Sequence, residues 1–241
     1  RGMAIAFTLN SIIETSRSIL LICRHNVRDT YALSRTLFDA TLNIGHYSID
    51  SDLVQKAIKH ASQKSFRDLF REVNLQNGTT INNISDIDNF PIPDGLKEAF
   101  NEFTNSKNKE IREWSPESKM NVFKKIHLIS SEIDESIGNV LNFCLFSIYR
   151  HSSEVIHGTL FGSFFGLGFN LIDKTNNVKN PKEHEKYIYN MNAYLMHVLN
   201  LLLETSLKIV NQNYPIPDTL KSSRGYTNHL SKMATNSKTV D

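Results

Sequence analysis

Apolar side chains recur three, four and seven positions apart along most of the chain, the repeat of helices that each bury one face. Ile5, Leu9, Ile12, Ile13, Ile19 and Leu20 predict a first helix over 4–23. Tyr31, Leu33, Leu37, Phe38, Leu42 and Ile44 predict a second over 27–49, with no breaker before Gly45. A third, over 50–73, has a dry side of Leu53, Val54, Ala57, Ala61, Phe66, Leu69, Phe70 and Val73. Its wet side carries Lys56, Lys59, His60, Lys64, Arg67 and Arg71, diluted by Asp52, Asp68 and Glu72. Such a stripe either tracks a phosphate backbone or is an ordinary solvated face.

Residues 74–93 are rich in Asn, Gly, Thr and Asp and read as a polar loop, the best internal boundary. Pro93-Asp94-Gly95 then opens a helix to about 103, with Asp94 able to cap it. Past Trp114, Ser115-Pro116-Glu117 is a helix start with Ser as cap and Pro at the first position, predicting a helix to about 137. The most apolar region is 139–172. Pro181 introduces a last long helix to about 210, with Tyr187, Met191, Tyr194, Leu195, Val198, Leu199, Leu202 and Leu203 on its buried face. Asn89-Phe-Pro-Ile-Pro-Asp-Gly-Leu-Lys97 is echoed by Asn213-Tyr-Pro-Ile-Pro-Asp-Thr-Leu-Lys221, a reused helix-start device rather than a solenoid repeat. The prediction is an all-α bundle of five to seven long helices with short connections, one domain over 1–221 and a flexible polar tail over 222–241.

Composition narrows the class. With 241 residues, 40% hydrophobic and 22% charged, the chain can bury a full core, and ten glycines and six prolines are too few for a turn-rich β fold. A net charge of +2 leaves any nucleic-acid surface to be local. Two cysteines, Cys23 and Cys144, both in apolar stretches, read as core filler and imply a reducing, cytoplasmic setting. The one membrane-like stretch, 155–172, contains His157 and is at the lower length limit for a spanning helix, so no membrane is expected.

The densest polar cluster sits inside the most apolar region: Tyr149-Arg150-His151-Ser152-Ser153-Glu154-Val155-Ile156-His157. At helical spacing Arg150, Glu154 and His157 line up on one side, and Tyr149, Ser153 and His157 on an overlapping one. A charge among apolar residues must be paired or open to a cavity, because unpaired burial is expensive. The second helix offers Arg35, Asp39 and His46 near one face as partners for a joint network.

Arg35-Thr-Leu-Phe-Asp39, the downstream Trp114, and Tyr149, Ser153 and His157-Gly-Thr spaced by fours together resemble an uncharacterised bacterial helical domain family of unknown function. The resemblance covers roughly 15–170 and implies fold rather than activity. Arg150 followed seven positions later by His157 is also similar to the arginine–histidine signature of the HEPN ribonucleases. Those are small helical bundles, often toxins or antiviral effectors, that dimerise to build one cleft from two motifs. This second resemblance implies a homodimer that cleaves RNA with no cofactor and no metal.

The chemistry needs a base near the 2′-hydroxyl, an acid near the leaving oxygen and positive charge on the phosphorane. His157 from each of two copies could supply base and acid, Arg150 would grip the phosphate, and Glu154 would orient them. Arg35, Asp39, Tyr149, His151 and Ser153 would bind or support. Other readings of the same residues stand beside it. Arg150–Glu154 and Arg35–Asp39 are also ordinary i,i+4 ion pairs of a non-catalytic adaptor that docks a partner protein. A ligand or metal sensor is a third class, although Glu154-x-x-His157 lacks the second such unit that bundle metal sites use. Gly158, Gly162 and Gly166, followed by Gly168, form a smooth helical groove suited to close packing within the bundle or at a homodimer seam.

Overall fold

The computed structural model describes residues 1–69, 72–82, 93–107, 110–113, 115–165 and 180–214. Trp114, Gly166, Gly168, the 89–97 repeat through residue 92 and the tail from 222 lie outside the described residues. The fold is all-α, with two short hairpins among the described residues, and the chain divides into two compact units, 50–121 with Arg1, and 2–49 with 122–241.

The larger unit contains α1 (Gly2–Ile22), α2 (Val27–Ile49), α5 (Val122–Glu132), α6 (Glu135–Cys144), α7 (Arg150–Ile156), α8 (Leu160–Phe165) and α9 (Pro181–Asn213). Helix α2 is its axis and packs against α1, α5, α7 and α9. Its buried side holds Tyr31, Leu37, Phe38, Leu42 and Ile44 together with small hydroxyls. Each hydroxyl satisfies itself by donating to a carbonyl one turn back: Ser34 to Thr30 at 2.6 Å and Thr41 to Leu37 at 2.9 Å. Thr41 Oγ1 also lies 3.0 Å from Ser206 Oγ of α9, a polar tie in a dry interface. Gly45, the one breaker the sequence places in α2, lies inside the helix; a Cβ there would stand 2.5 Å from Ile129 Cδ1, so the glycine is the place where α5 presses against α2.

Helix α1 buries only Ile5, Ile12 and Ile19, one residue per heptad, and leaves Met3, Phe7, Leu20 and Leu21 exposed. Helix α9 starts as the sequence predicts: Asn180 accepts from the Glu183 amide at 3.0 Å and Pro181 takes the first position. Cys144 is fully buried, which pushes its thiol up to about 12, and Cys23 and Cys144 are both free. Among the described residues, α1 and α9 are long and apolar enough, by length and composition alone, to cross a membrane. The 155–172 stretch singled out from sequence is instead broken after Ile156.

The smaller unit packs α3 (Ser51–Leu69) on α4 (Asp94–Phe103) and on a 3₁₀ turn, Pro116–Lys119. Among the described residues, Leu53, Val54, Ala57, Ala99, Phe103 and Pro116 are buried there. The predicted last turn of the third helix is a hairpin: β1 (Glu72–Asn74) pairs with β2 (Thr80–Asn82), Val73 opposite Ile81. The β-branched residues and the Asn77-Gly78 turn, with Gly78 at φ +81°, favour strands there. A second hairpin joins β3 (Thr104–Lys107) to β4 (Glu110–Glu113). The basic stripe of α3 is interrupted: His60 is buried edge-on against Phe103 at 5.2 Å, and Lys59 pairs with Glu102 at 2.8 Å.

The helix predicted from Ser115 to about 137 is three pieces. The 3₁₀ turn stops at Met120, which is extended; α5 follows; and Asp134 caps α6 by accepting from the Ser136 amide at 2.6 Å. Ser115 makes no capping bond to the backbone and instead donates to the Glu117 carboxylate.

Candidate functional site

Helix α6 runs into α7 through five residues in π-helical geometry, Leu145–Tyr149. Such insertions add a residue to the turn and re-aim side chains. Here Tyr149, the last π residue, reaches α2. The Arg35 guanidinium lies 4.3 Å over its ring, and Arg35 Nη2 donates to its hydroxyl at 3.1 Å. Phe38 closes the far side of the ring, edge-on at 6.2 Å. Tyr194 of α9 donates to Ser147 Oγ at 2.7 Å and holds the π segment from behind.

Arg35 Nε lies 3.6 Å from Asp39 Oδ2, so the predicted ion pair forms. Burial pushes the Asp39 carboxyl above its usual range, against the opposing pull of Arg35 and Lys125. Lys125, only 8% exposed, donates to Asn43 Oδ1 at 2.9 Å. Arg35, Asp39 and Asn43 follow one another at four-residue steps on α2, so a single face carries an arginine, a carboxylate and an amide. Arg35 Nη1 is buried and has no hydrogen-bond partner.

Arg150, Glu154 and His157 do not join this cluster. The predicted Arg150–Glu154 pair is absent: Glu154 accepts from the Thr159 hydroxyl at 2.8 Å instead. That threonine also accepts from the Gly162 amide at 3.1 Å, so it caps α8 and binds Glu154 to the turn. The turn itself is a Schellman closure, with Thr159 N to Glu154 O and Gly158 N to Val155 O both at 3.1 Å and Gly158 at φ +63°. Gly158 and Gly162 therefore lie on either side of a turn and not along one continuous helical groove. Gly158 terminates α7, and Gly162 lets α8 cross it so closely that a Cβ would lie 2.4 Å from the Glu154 carbonyl oxygen.

Arg150 and His157 are both exposed, and among the described residues neither side chain has a hydrogen-bond or ion-pair partner. They continue an exposed stripe that begins with Asn139, Asn142, Phe143 and Phe146, at steps of three and four. Phe146 is 82% exposed. Ser153 is half-buried, and Ser152 beside it is fully buried, donating to the carbonyls of Tyr31 and Ile148, each at 2.7 Å. His151 stacks on Phe165 at 4.8 Å and 8°, and burial there, with the charge of Arg150, lowers its pKa.

A family model described as a family of unknown function, DUF5677, matches residues 2–177. The chain belongs to DUF5677. No curated protein and no solved structure matches it. The resemblance to an uncharacterised domain family thus holds over more of the chain than 15–170. All eight candidate residues lie within the DUF5677 span, whereas α9 lies beyond it.

Sequence reasoning missed Lys125 and Asn43. The four-residue step from Asp39 to Asn43 was a usable signal, but nothing local ties Lys125 of α5 to it. His46, placed with Arg35 and Asp39 from spacing, is buried in the core. Among the described residues no group of three or more His, Cys, Asp or Glu side chains could hold a metal ion.

Proposed function

We propose that this chain is a HEPN-like, metal-independent endoribonuclease that works as a homodimer, in the manner of a defence or toxin effector. One observation carries the reading: Arg150 and His157 are exposed and have no partner within the described chain, free to meet a phosphate. A register-fixing pair would be buried and mutually satisfied. Arginine supplies planar charge to the phosphorane, and an imidazole serves as base or acid. One copy offers a single such histidine on this face, so acid and base together require two copies. Phe143 and Phe146, exposed on the same stripe, offer apolar surface for pairing or for stacking a base. Arg35, Asp39 and Tyr149 then act from behind by fixing the π segment from which Arg150 projects.

The test is incubation of the purified chain with single-stranded RNA in EDTA, scored by 2′,3′-cyclic phosphate ends. The wild type should cut, and His157→Ala should abolish cutting while far-ultraviolet circular dichroism is unchanged. Failure of the wild type to cut under any activating condition ends this reading. The exposed Phe146 also favours a second one, a non-catalytic adaptor whose aromatic stripe docks a partner protein. In that case Arg150→Ala and His157→Ala change no chemistry.

A further inference from the structure

A hollow of about 400 Å³ opens between the start of α2, α8 and α9, away from the residues discussed above. Its polar wall is His25 and Arg28 at the start of α2, Ser163 of α8 and His184 of α9, with Val27 and Ile188 as an apolar side. We propose that it binds a small phosphorylated ligand, a phosphomonoester of about mononucleotide size.

Four features point to that chemistry. Among the described residues no carboxylate lines it, while one arginine and two imidazoles do. Neither imidazole has a side-chain partner among the described residues, and Arg28 is held only loosely by Asp29 at 3.8 Å. Asp29, next to Arg28, is turned toward Asn26, whose amide donates to it at 2.6 Å, so that carboxylate is already engaged. Finally, the first turn of the 23-residue α2 lines the hollow and brings the positive end of its helix dipole.

The walls are also preassembled. Tyr187 of α9 donates to the Phe165 carbonyl of α8 at 2.7 Å, and Asn192 of α9 donates to the Cys23 carbonyl just before α2. Asn26 caps α2 by accepting from the Asp29 amide at 2.9 Å, which fixes where Arg28 leaves the helix. A preformed cationic wall binds an anion without having to order itself first. Two histidines beside an arginine make a poor metal site, since the guanidinium repels a cation. The volume exceeds what a bare phosphate fills and is within the range of small-molecule pockets.

Nuclear magnetic resonance titration of the whole chain tests this, reading the Cε1–H signals of His25 and His184, assigned with His25→Gln and His184→Gln. The probes are inorganic phosphate and adenosine 5′-monophosphate. Both should shift the two signals saturably, the nucleotide at lower concentration. Arg28→Leu should weaken binding about tenfold or more, the scale of losing one charge-assisted bond. His157→Ala should leave the titration unchanged, which separates this site from the ribonuclease reading. Absence of a saturable shift with either probe, or equal affinity in Arg28→Leu, overturns the proposal.

Discussion

Tyr149 and Arg150 are adjacent in the chain, yet they belong to two different environments. The inner region, Tyr149 with Arg35, Asp39, Asn43 and Lys125, is half-buried and cross-linked by hydrogen bonds, a ring contact and an ion pair. The outer region, Phe143, Phe146, Arg150 and His157, is exposed, and its two basic side chains lack partners within the described chain. Both contain an arginine, and only the inner one is engaged by side chains of its own chain, through Nε and Nη2. The difference separates polar residues that hold helices together from polar residues left available to something else. A charge that serves architecture is engaged by its own chain, because burial without a partner is penalised.

Substitutions on the two sides should therefore part company. The largest effect belongs to the outer arginine: Arg150→Ala should lower RNA cleavage by about 100-fold or more, with the melting temperature unmoved. A drop in melting temperature with unaltered cleavage would reverse the assignment. Next comes the inner arginine, 19% exposed in its side chain. Arg35→Ala should lower stability by about 1–3 kcal/mol, since it strands the Tyr149 hydroxyl and leaves Asp39 half-buried without its partner. Denaturant melts that superimpose on the wild type would show that the inner cluster contributes no stability.

The smallest effect concerns pH and His151, on the boundary between the two. Burial beside Phe165, and then the neighbouring Arg150 charge, keep its pKa below the usual 6.5. The folded state thus disfavours the imidazolium more than the unfolded state does. Its contribution is complete above pH 6.5 and is lost as pH falls through that value toward the lower folded pKa. His151→Phe should flatten the stability profile in that window, as melting curves taken in steps of pH would report. An unchanged slope would place the titration elsewhere.

The fold was legible where one face repeats over many turns. The bounds of α2 follow directly from Tyr31, Leu37, Phe38 and Leu42, and Pro181 marks the start of α9. Shorter elements were not, because their breaks depend on single residues within otherwise helical patterns. Gly158 looks like one member of a small-residue stripe until its positive φ shows that it ends α7. Gly45 looks like a breaker until the close approach of Ile129 explains why a helix needs it. Of the candidate site, spacing identified Arg35–Asp39 correctly because both are on one regular helix. It paired Arg150 with Glu154 wrongly because Thr159, beyond the helix end, competes for the carboxylate. The Arg35–Tyr149 contact crosses 114 positions of chain, beyond the reach of any local repeat.

The five π-helical residues act on everything that follows them. An additional residue held in that turn sets the angular phase of α7 relative to α6. Rewinding all five residues as ordinary α-helix, about 100° each instead of roughly 82° in π geometry, would rotate the downstream segment by about 90°. Tyr149 would swing off Arg35, and Ser152 would leave the Tyr31 carbonyl. Arg150 and His157 would turn together, still aligned with each other but facing a new direction. The winding of this stretch consequently sets the direction of the inner tyrosine and of the outer pair together.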